Sequence, residues 1–369
     1  MKKIMSFVLL LIMLFSITGA FASEDASEML IERAKVLSVE DYENPDEELM
    51  FEAKLVTLKL LSGELKGEIV EIQHLLSGSY AYDLPVKAGD KVLVAMEYND
   101  EGVLEIHISE YIRDTYVYVV LAVFILLLIL IGRKTGFKAV LTLGLTLLVV
   151  MKLLLPGILR GYSPIALTVF SALIITLITI FTIGGFNLKS MSAILGIFGG
   201  VMAAGLIAFI IGSRVKLTGL SSEEAMMLLY IPQNIQFDFK ELLFSGIILG
   251  AMGAVMDVGM SIASAMEEIK RVNPSISAKE LVISGMNVGK DIMGTMSNTL
   301  ILAYVGSAIP MLLLFMAYDS SIVKIINLDI IATEIVRAVA GTIGIILAIP
   351  ITAITGGVLY NKFGVSKTK

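Results

Sequence analysis

Two periodicities divide the chain. From Ser23 to Arg113 apolar and polar residues alternate, as in Lys91-Val92-Leu93-Val94 and Val103-Leu104-Glu105-Ile106-His107-Ile108. A period of two sends every second side chain to one face and predicts half-buried strands. The runs are 31–39, 49–61, 67–75, 91–98 and 103–109. Ser62-Gly63 and Asn99-Asp100-Glu101-Gly102 separate neighbouring runs with the residues that tight turns favour. Five short strands in so short a segment predict a small closed barrel, OB-like in type. From Thr115 onward the alternation gives way to long apolar runs at 116–131, 139–159, 164–183, 191–212, 242–266, 294–316 and 334–360. Each approaches or exceeds the ~20 residues needed to cross the hydrocarbon of a bilayer. An amphipathic stretch at 221–230, between the fourth and fifth runs, is expected to rest on the membrane surface.

The N-terminus has a third pattern. Lys2 and Lys3 precede an apolar run at 4–17, and Ala20-Phe21-Ala22 supplies small residues before an acidic stretch. This is the pattern of a secretory signal peptide, with an uncleaved anchor as the alternative. The expected organisation is therefore a leader (1–22), an exported β-rich domain (23–113) and a polytopic membrane domain (114–369). The fold class is mixed: a small exported all-β, OB-like barrel followed by an α-helical bundle of about seven spans.

Charge orients this arrangement. With the barrel outside, the cytoplasmic loops carry eleven lysines and arginines, from Arg133 to Lys369. The outer loops carry five: Arg160, Arg214, Lys216, Lys240 and Lys324. Positive residues stay on the cytoplasmic side, so a cell-membrane protein with its barrel outside and its C-terminus inside is expected.

Composition removes several function classes. The chain is 56% hydrophobic and 17% charged, with a net charge of −6. The β-rich segment carries 21 acidic and 8 basic residues, a net −13, which would repel phosphate, so no nucleic-acid partner is expected. There is no cysteine, and His74 and His107 are the only histidines, so no thiolate or all-protein metal site and no cofactor are expected. No His-Glu-x-x-His, Gly-x-Ser-x-Gly or phosphate-cradling Gly-x-x-x-x-Gly-Lys-Ser/Thr occurs. Tyr318-Asp319 lacks the Gly-x-Gly-Asp that an aspartyl membrane protease pairs with it. The chain is expected not to be an enzyme.

Candidate chemistry lies where charge enters an apolar run. A charge at the centre of a membrane helix costs ~2.5–3.5 kcal/mol on insertion scales. Asp257 is such a residue, with Ser261, Ser264 and Glu268 continuing its face at helical spacing. It reads either as a proton or cation site or as a structural carboxylate. Ser284, Asn287, Asp291, Thr295 and Asn298 recur every three or four residues and form a second polar face. This stripe reads as a permeation wall opposite Asp257 or as the wet side of an interfacial helix. Gly285, Gly289 and Gly294 leave room there for an unwound turn. Lys152 either snorkels outward or pairs with Asp257 or with an acid from another helix. Glu334 and Arg337, at i,i+3, read as an interfacial pair, with a gate as the alternative.

Three blocks carry a resemblance: residues 250–269 (GAMGAVMDVGMSIASAMEEI), 289–310 (GKDIMGTMSNTLILAYVGSAIP) and 333–351 (TEIVRAVAGTIGIILAIPI). With the layout of an exported domain followed by a multispan region, the chain resembles the YibE/F family of bacterial membrane proteins. The resemblance implies a bacterial cell-membrane protein and assigns no reaction. Two functions stay open. One is an ion-coupled transporter or permease for a small solute or ion, with its site around the fifth and sixth runs. The other is a sensor, scaffold or assembly component whose exported domain binds a partner. The lipid bilayer is a partner in either case, and a membrane-protein partner or a homo-oligomer fits both.

Overall fold

The computed structural model describes residues 30–42, 52–79, 83–98, 104–231, 235–318 and 321–363. The leader and the turn at 99–102 lie outside the described residues. The chain forms two compact units that part between Leu127 and Leu128.

In the first unit the alternating runs are strands: β1 (Leu30–Tyr42), β2 (Glu52–Leu60), β3 (Ile69–Leu76), β4 (Lys91–Tyr98) and β5 (Leu104–Tyr111). They pair antiparallel in the order β3-β2-β1-β4-β5. Alternation delivers Val36, Val56, Leu58, Leu60, Val92 and Val94 to one fully buried face. Gly63 and Gly67 turn β2 into β3 with φ of +78° and +97°, a region open to glycine at no steric cost. Register shifts at Val36/Ser38 and Leu93/Val94 bend the sheet. It curls until β3 and β5 flank one cavity of about 880 Å³, walled by Glu71 and Gln73 on one side and Glu105 and His107 on the other. β3 and β5 are its two edges. The sheet is a half-barrel, which is less than the closed barrel the alternation predicts.

From Asp114 onward the described chain is helical, the first helix beginning in the strand unit. A run over 114–159 comprises α1 (Asp114–Val149), a π-helical turn (Val150–Leu154) and α2 (Leu155–Leu159). α1 is broken at Arg133, whose φ of 48° and ψ of −123° are not helical. α3 (Pro164–Gly184), α4 (Leu188–Arg214), a short α5 (Glu223–Met227) and α6 (Phe239–Val272) follow. α7 (Ala278–Ser307) and α8 (Ile309–Ala317) meet at a bend of 61°. Proline cannot donate a backbone bond, and Pro310 stands at the start of α8. α9 (Ile322–Ile326) and α10 (Asp329–Phe363) complete the order. The single sixth span read at 294–316 is thus two helices. Among the described residues five helical runs are long and apolar enough to cross a membrane, or six if the bent pair counts as one.

The core lies where α4, α6 and α10 meet, around Ile197, Val201, Val255, Ile262, Ile345 and Ala348. Small residues set their distance. A Cβ on Gly200 would lie 2.7 Å from the Gly344 carbonyl oxygen, and one on Gly344 would lie 2.9 Å from that of Gly200. Backbones in such contact are a normal means of helix association in lipid, where apolar burial gives no drive.

The helices alternate in direction, which sorts the loops between two ends. One end collects Lys189, Lys270, Arg271, Lys279 and Lys362. There Lys189 pairs with Glu267 at 2.8 Å, and Lys138 Nζ donates to the Ile183 carbonyl. The other end collects Arg160, Arg214, Lys216, Lys240 and Lys324. There the Ser163 hydroxyl donates to Glu241, and that of Thr218 to Asp329, both at 2.6 Å.

Candidate functional site

α6 has two unlike sides. Asp238 caps its start by accepting from the Glu241 amide at 2.9 Å. Phe244, Ile247, Ile248, Ala251, Val255, Val258 and Ile262 are buried. Gly246, Gly250, Gly253, Asp257 and Ser261 recur at steps of three or four and are exposed, as is Glu268 two turns further on, while Ser264 between them is half-buried. Asp257 therefore stands mid-helix on a ridge of the smallest side chains available. No cation or hydrogen-bond donor pairs with it among the described residues. Lys152 is exposed on the π-helical turn and is likewise unpaired. The structure does not form the ion pair between them.

α7 begins with a capping box. The Ser277 hydroxyl accepts from the Glu280 amide, and the Glu280 carboxylate accepts from the Ser277 amide at 3.1 Å. Beyond this cap Asn287, Asp291, Thr295 and Asn298 form the expected stripe and are exposed, with Ser284 half-buried above them. Thr295 donates its hydroxyl to the Ile292 carbonyl at 2.9 Å, and Thr299 does the same to Thr295. Such back-bonding leaves the hydroxyl oxygens free to accept. Asn287, Asp291 and Asn298 have no partner among the described residues. Their polar capacity is unspent.

Contacts fix how the two stripes align. A Cβ on Gly285 would lie 2.7 Å from the Met266 sulfur, one on Gly289 3.1 Å from Ile262 Cδ1, and one on Gly250 2.8 Å from the Tyr304 hydroxyl. α6 and α7 therefore run antiparallel, with Asp257 level with residues 294–297 and Ser261 level with 290–291. Thr295 is the stripe residue level with Asp257, and Asn298 sits about a turn away toward Tyr304. A Cβ on Gly253 or Gly294 would meet nothing within 4 Å. Both stripes face out of the packed helices, so the enclosed wall expected between them is an open surface in the single chain.

A second polar cluster lies at the end of α6 opposite to Glu268. Glu334 and Arg337 on α10 pair at 2.9 Å, with side chains only 23% and 31% exposed. The Arg337 guanidinium lies 6.0 Å from the Tyr304 ring centroid. Glu334 Oε2, Arg337 Nε and the Tyr304 hydroxyl are buried and have no hydrogen-bond partner. A cavity of about 330 Å³ opens beside them. The pattern reading found the pair but missed Tyr304. One tyrosine in an apolar run is ordinary, and only the bend at Ala308 and the approach of α10 gather the three. Among the described residues no three acidic or histidine side chains cluster as a metal site would require.

Comparison with known families covers almost all the described chain. The family model for the YibE/F family N-terminal domain matches residues 31–111, and that for YibE/F-like protein matches residues 120–362. The chain belongs to the YibE/F family. The boundary between the two matches falls near the start of the helical region, and Lys152, Asp257, Asn298, Glu334 and the other candidate residues all lie in the YibE/F-like match. Family membership and the apolar helices make it a membrane protein. No curated protein and no solved structure matches the chain.

Proposed function

We propose that this YibE/F protein is an ion-coupled transporter or permease of the cell membrane, and not an enzyme. Its path runs along the polar stripes of α6 and α7, with Asp257 as the ion or proton site. The carrying observation is an unpartnered carboxylate in the middle of a membrane-length helix, level with a second polar stripe that is also unspent. Polar groups at membrane depth must line water or face protein. Since one chain leaves both stripes open, a second protein surface covers them, and in this reading it is another copy of the chain.

The finer topology belongs to the same reading. A helix of 46 residues would be about 69 Å long at 1.5 Å per residue, over twice a hydrocarbon core of ~30 Å. The break at Arg133 divides it into two runs that each span, and with the bent pair counted once this makes seven. In this reading a signal peptide exports the N-terminal sheet and the C-terminus stays in the cytoplasm, which the lysine and arginine asymmetry of the loops supports. The half-barrel is read as an OB-like barrel, since joining β3 to β5 would close its ring.

Proteoliposome flux tests the proposal. Purified wild-type protein should dissipate an imposed pH or cation gradient, and Asp257→Asn should reduce that flux by at least about tenfold. Equal flux in both would remove Asp257 from the path. The open stripes also suit the second function, an assembly component that docks another membrane protein. That reading predicts no flux from either protein, and loss of a co-purified partner in Asp257→Asn.

A further inference from the structure

The cavity beside Tyr304 is built unlike the polar stripes. Nine of its eleven lining residues are apolar, among them Ile301, Met311 and Leu312 on the α7–α8 side and Ile335, Ala338 and Val339 on α10. The bend at Ala308 makes this room by swinging α8 away from the line of α7. At about 330 Å³ it falls at the small end of the range for small-molecule sites, ~300–1,000 Å³. Tyr304 and Glu334 are its polar members. Beside it three buried atoms lack partners: an acceptor at Glu334 Oε2, a donor at Arg337 Nε, and the Tyr304 hydroxyl, which can do either.

We infer that this cavity binds an uncharged amphiphile, a long-chain alcohol in chemistry, with its hydroxyl at the Glu334–Arg337–Tyr304 cluster and its chain along α8 and α10. The charges decide the head group. Glu334 and Arg337 already neutralise each other at 2.9 Å, so an anion would meet Glu334 and a cation would meet Arg337. A zwitterion would have to break the pair. A hydroxyl can donate to Glu334 Oε2, which lacks a partner on a residue that lines the cavity, without disturbing the pair. Apolar walls choose the tail. Water alone would satisfy the head, but dry cavities are the rule where walls are apolar. The site stands apart from the transport reading and holds whether or not the stripes carry ions.

Photolabelling in lipid nanodiscs tests this on the full chain. The probe is a dodecyl alcohol carrying a diazirine, and the labelled residues are mapped by peptide mass spectrometry. Label is expected on Met311, Leu312, Ile335 and Val339. Dodecanol should compete about tenfold better than dodecanoate or dodecyltrimethylammonium. Ala338→Phe, which fills the cavity, should remove this label while the thermal midpoint is kept. Glu334→Gln leaves Arg337 unopposed and should make dodecanoate the better competitor. If a variant fails to fold, the order of competitors on the wild-type protein still decides. Label spread evenly to lipid-facing positions such as Phe170 and Leu206, with no competition, would overturn the inference. So would dodecanoate or dodecyltrimethylammonium matching dodecanol on the wild type.

Discussion

A carboxylate in the middle of a membrane helix survives only where water or protein reaches it, and the surroundings of Asp257 decide what its replacement should do. No side chain pairs with it among the described residues, so removing it strands no partner. Asp257→Asn and Asp257→Leu should both fold, with stability in nanodiscs within ~0.5 kcal/mol of wild type, while neither keeps pH-dependent flux. A large loss of stability in the Asn protein would indicate a structural role instead. Asp83, outside the membrane segments, shows the opposite case. Its carboxylate accepts from the amide and the hydroxyl of Ser77, each at 2.8 Å, and chiefly the amide bond holds it below the usual carboxylate range. A depressed carboxyl stabilises the fold above its unfolded pKa and ceases to as pH falls through the folded value. Protection of the amides at residues 77–79, corrected for the intrinsic pH dependence of exchange, should therefore fall on acidification, and Asp83→Asn should show no such acid step. Identical profiles would contradict the assignment. Asp257 was legible because a lone acid in an apolar run stands out. The absence of a partner was not, since pairing depends on what the neighbouring helices bring to the same level.

Among elements, periodicity carried most of the information. All five strands were legible because one face of each is buried and the other wet, and residues such as Val92 and Val94 keep strict register with that face. The order of the strands was not, because pairing of β1 with β4 is set across the sheet. The helical runs were legible from apolar length alone. The bend at Ala308 was not, although Pro310 marked its place, because a proline in an apolar run can also sit inside a helix, as Pro350 does in α10. Glycine positions look alike in sequence and differ in structure. Gly200→Ala would drive a methyl against the Gly344 carbonyl, 2.7 Å away, and should cost about 1–3 kcal/mol. Gly246 has open space where its Cβ would be, so Gly246→Ala should be neutral or stabilising by up to ~1 kcal/mol through helix propensity. Denaturant titration of both variants in the same lipid checks the contrast, and equal effects would show that the α4–α10 crossing is looser than described.

At the scale of the molecule, an acidic half-barrel precedes a helical bundle that carries basic residues at both of its ends. The composition made that division readable, because the acidic residues concentrate before residue 114 and the long apolar runs follow it. What the pattern could not convey is that α6 and α7 turn their polar stripes outward, since a stripe records a face and not what covers it. This outward face is the centre of the account: a wet path at membrane depth, completed by a second surface. Cysteine accessibility tests it most directly and needs no knowledge of the solute, in a chain that has no native cysteine. Single cysteines at Gly253, Asp257, Ser261, Asn287, Asp291, Thr295 and Asn298 would be exposed to a charged, membrane-impermeant thiol reagent in sealed vesicles. Cysteines at Leu206 and Ile346, which are exposed on apolar faces of α4 and α10, serve as lipid-facing controls. The stripe positions, Asp257 included, should react at least about tenfold faster than the controls, because only ionised thiols in water react. Stripe cysteines that react no faster than Leu206 and Ile346 would mean that lipid or dry protein covers this face, and the path would not exist.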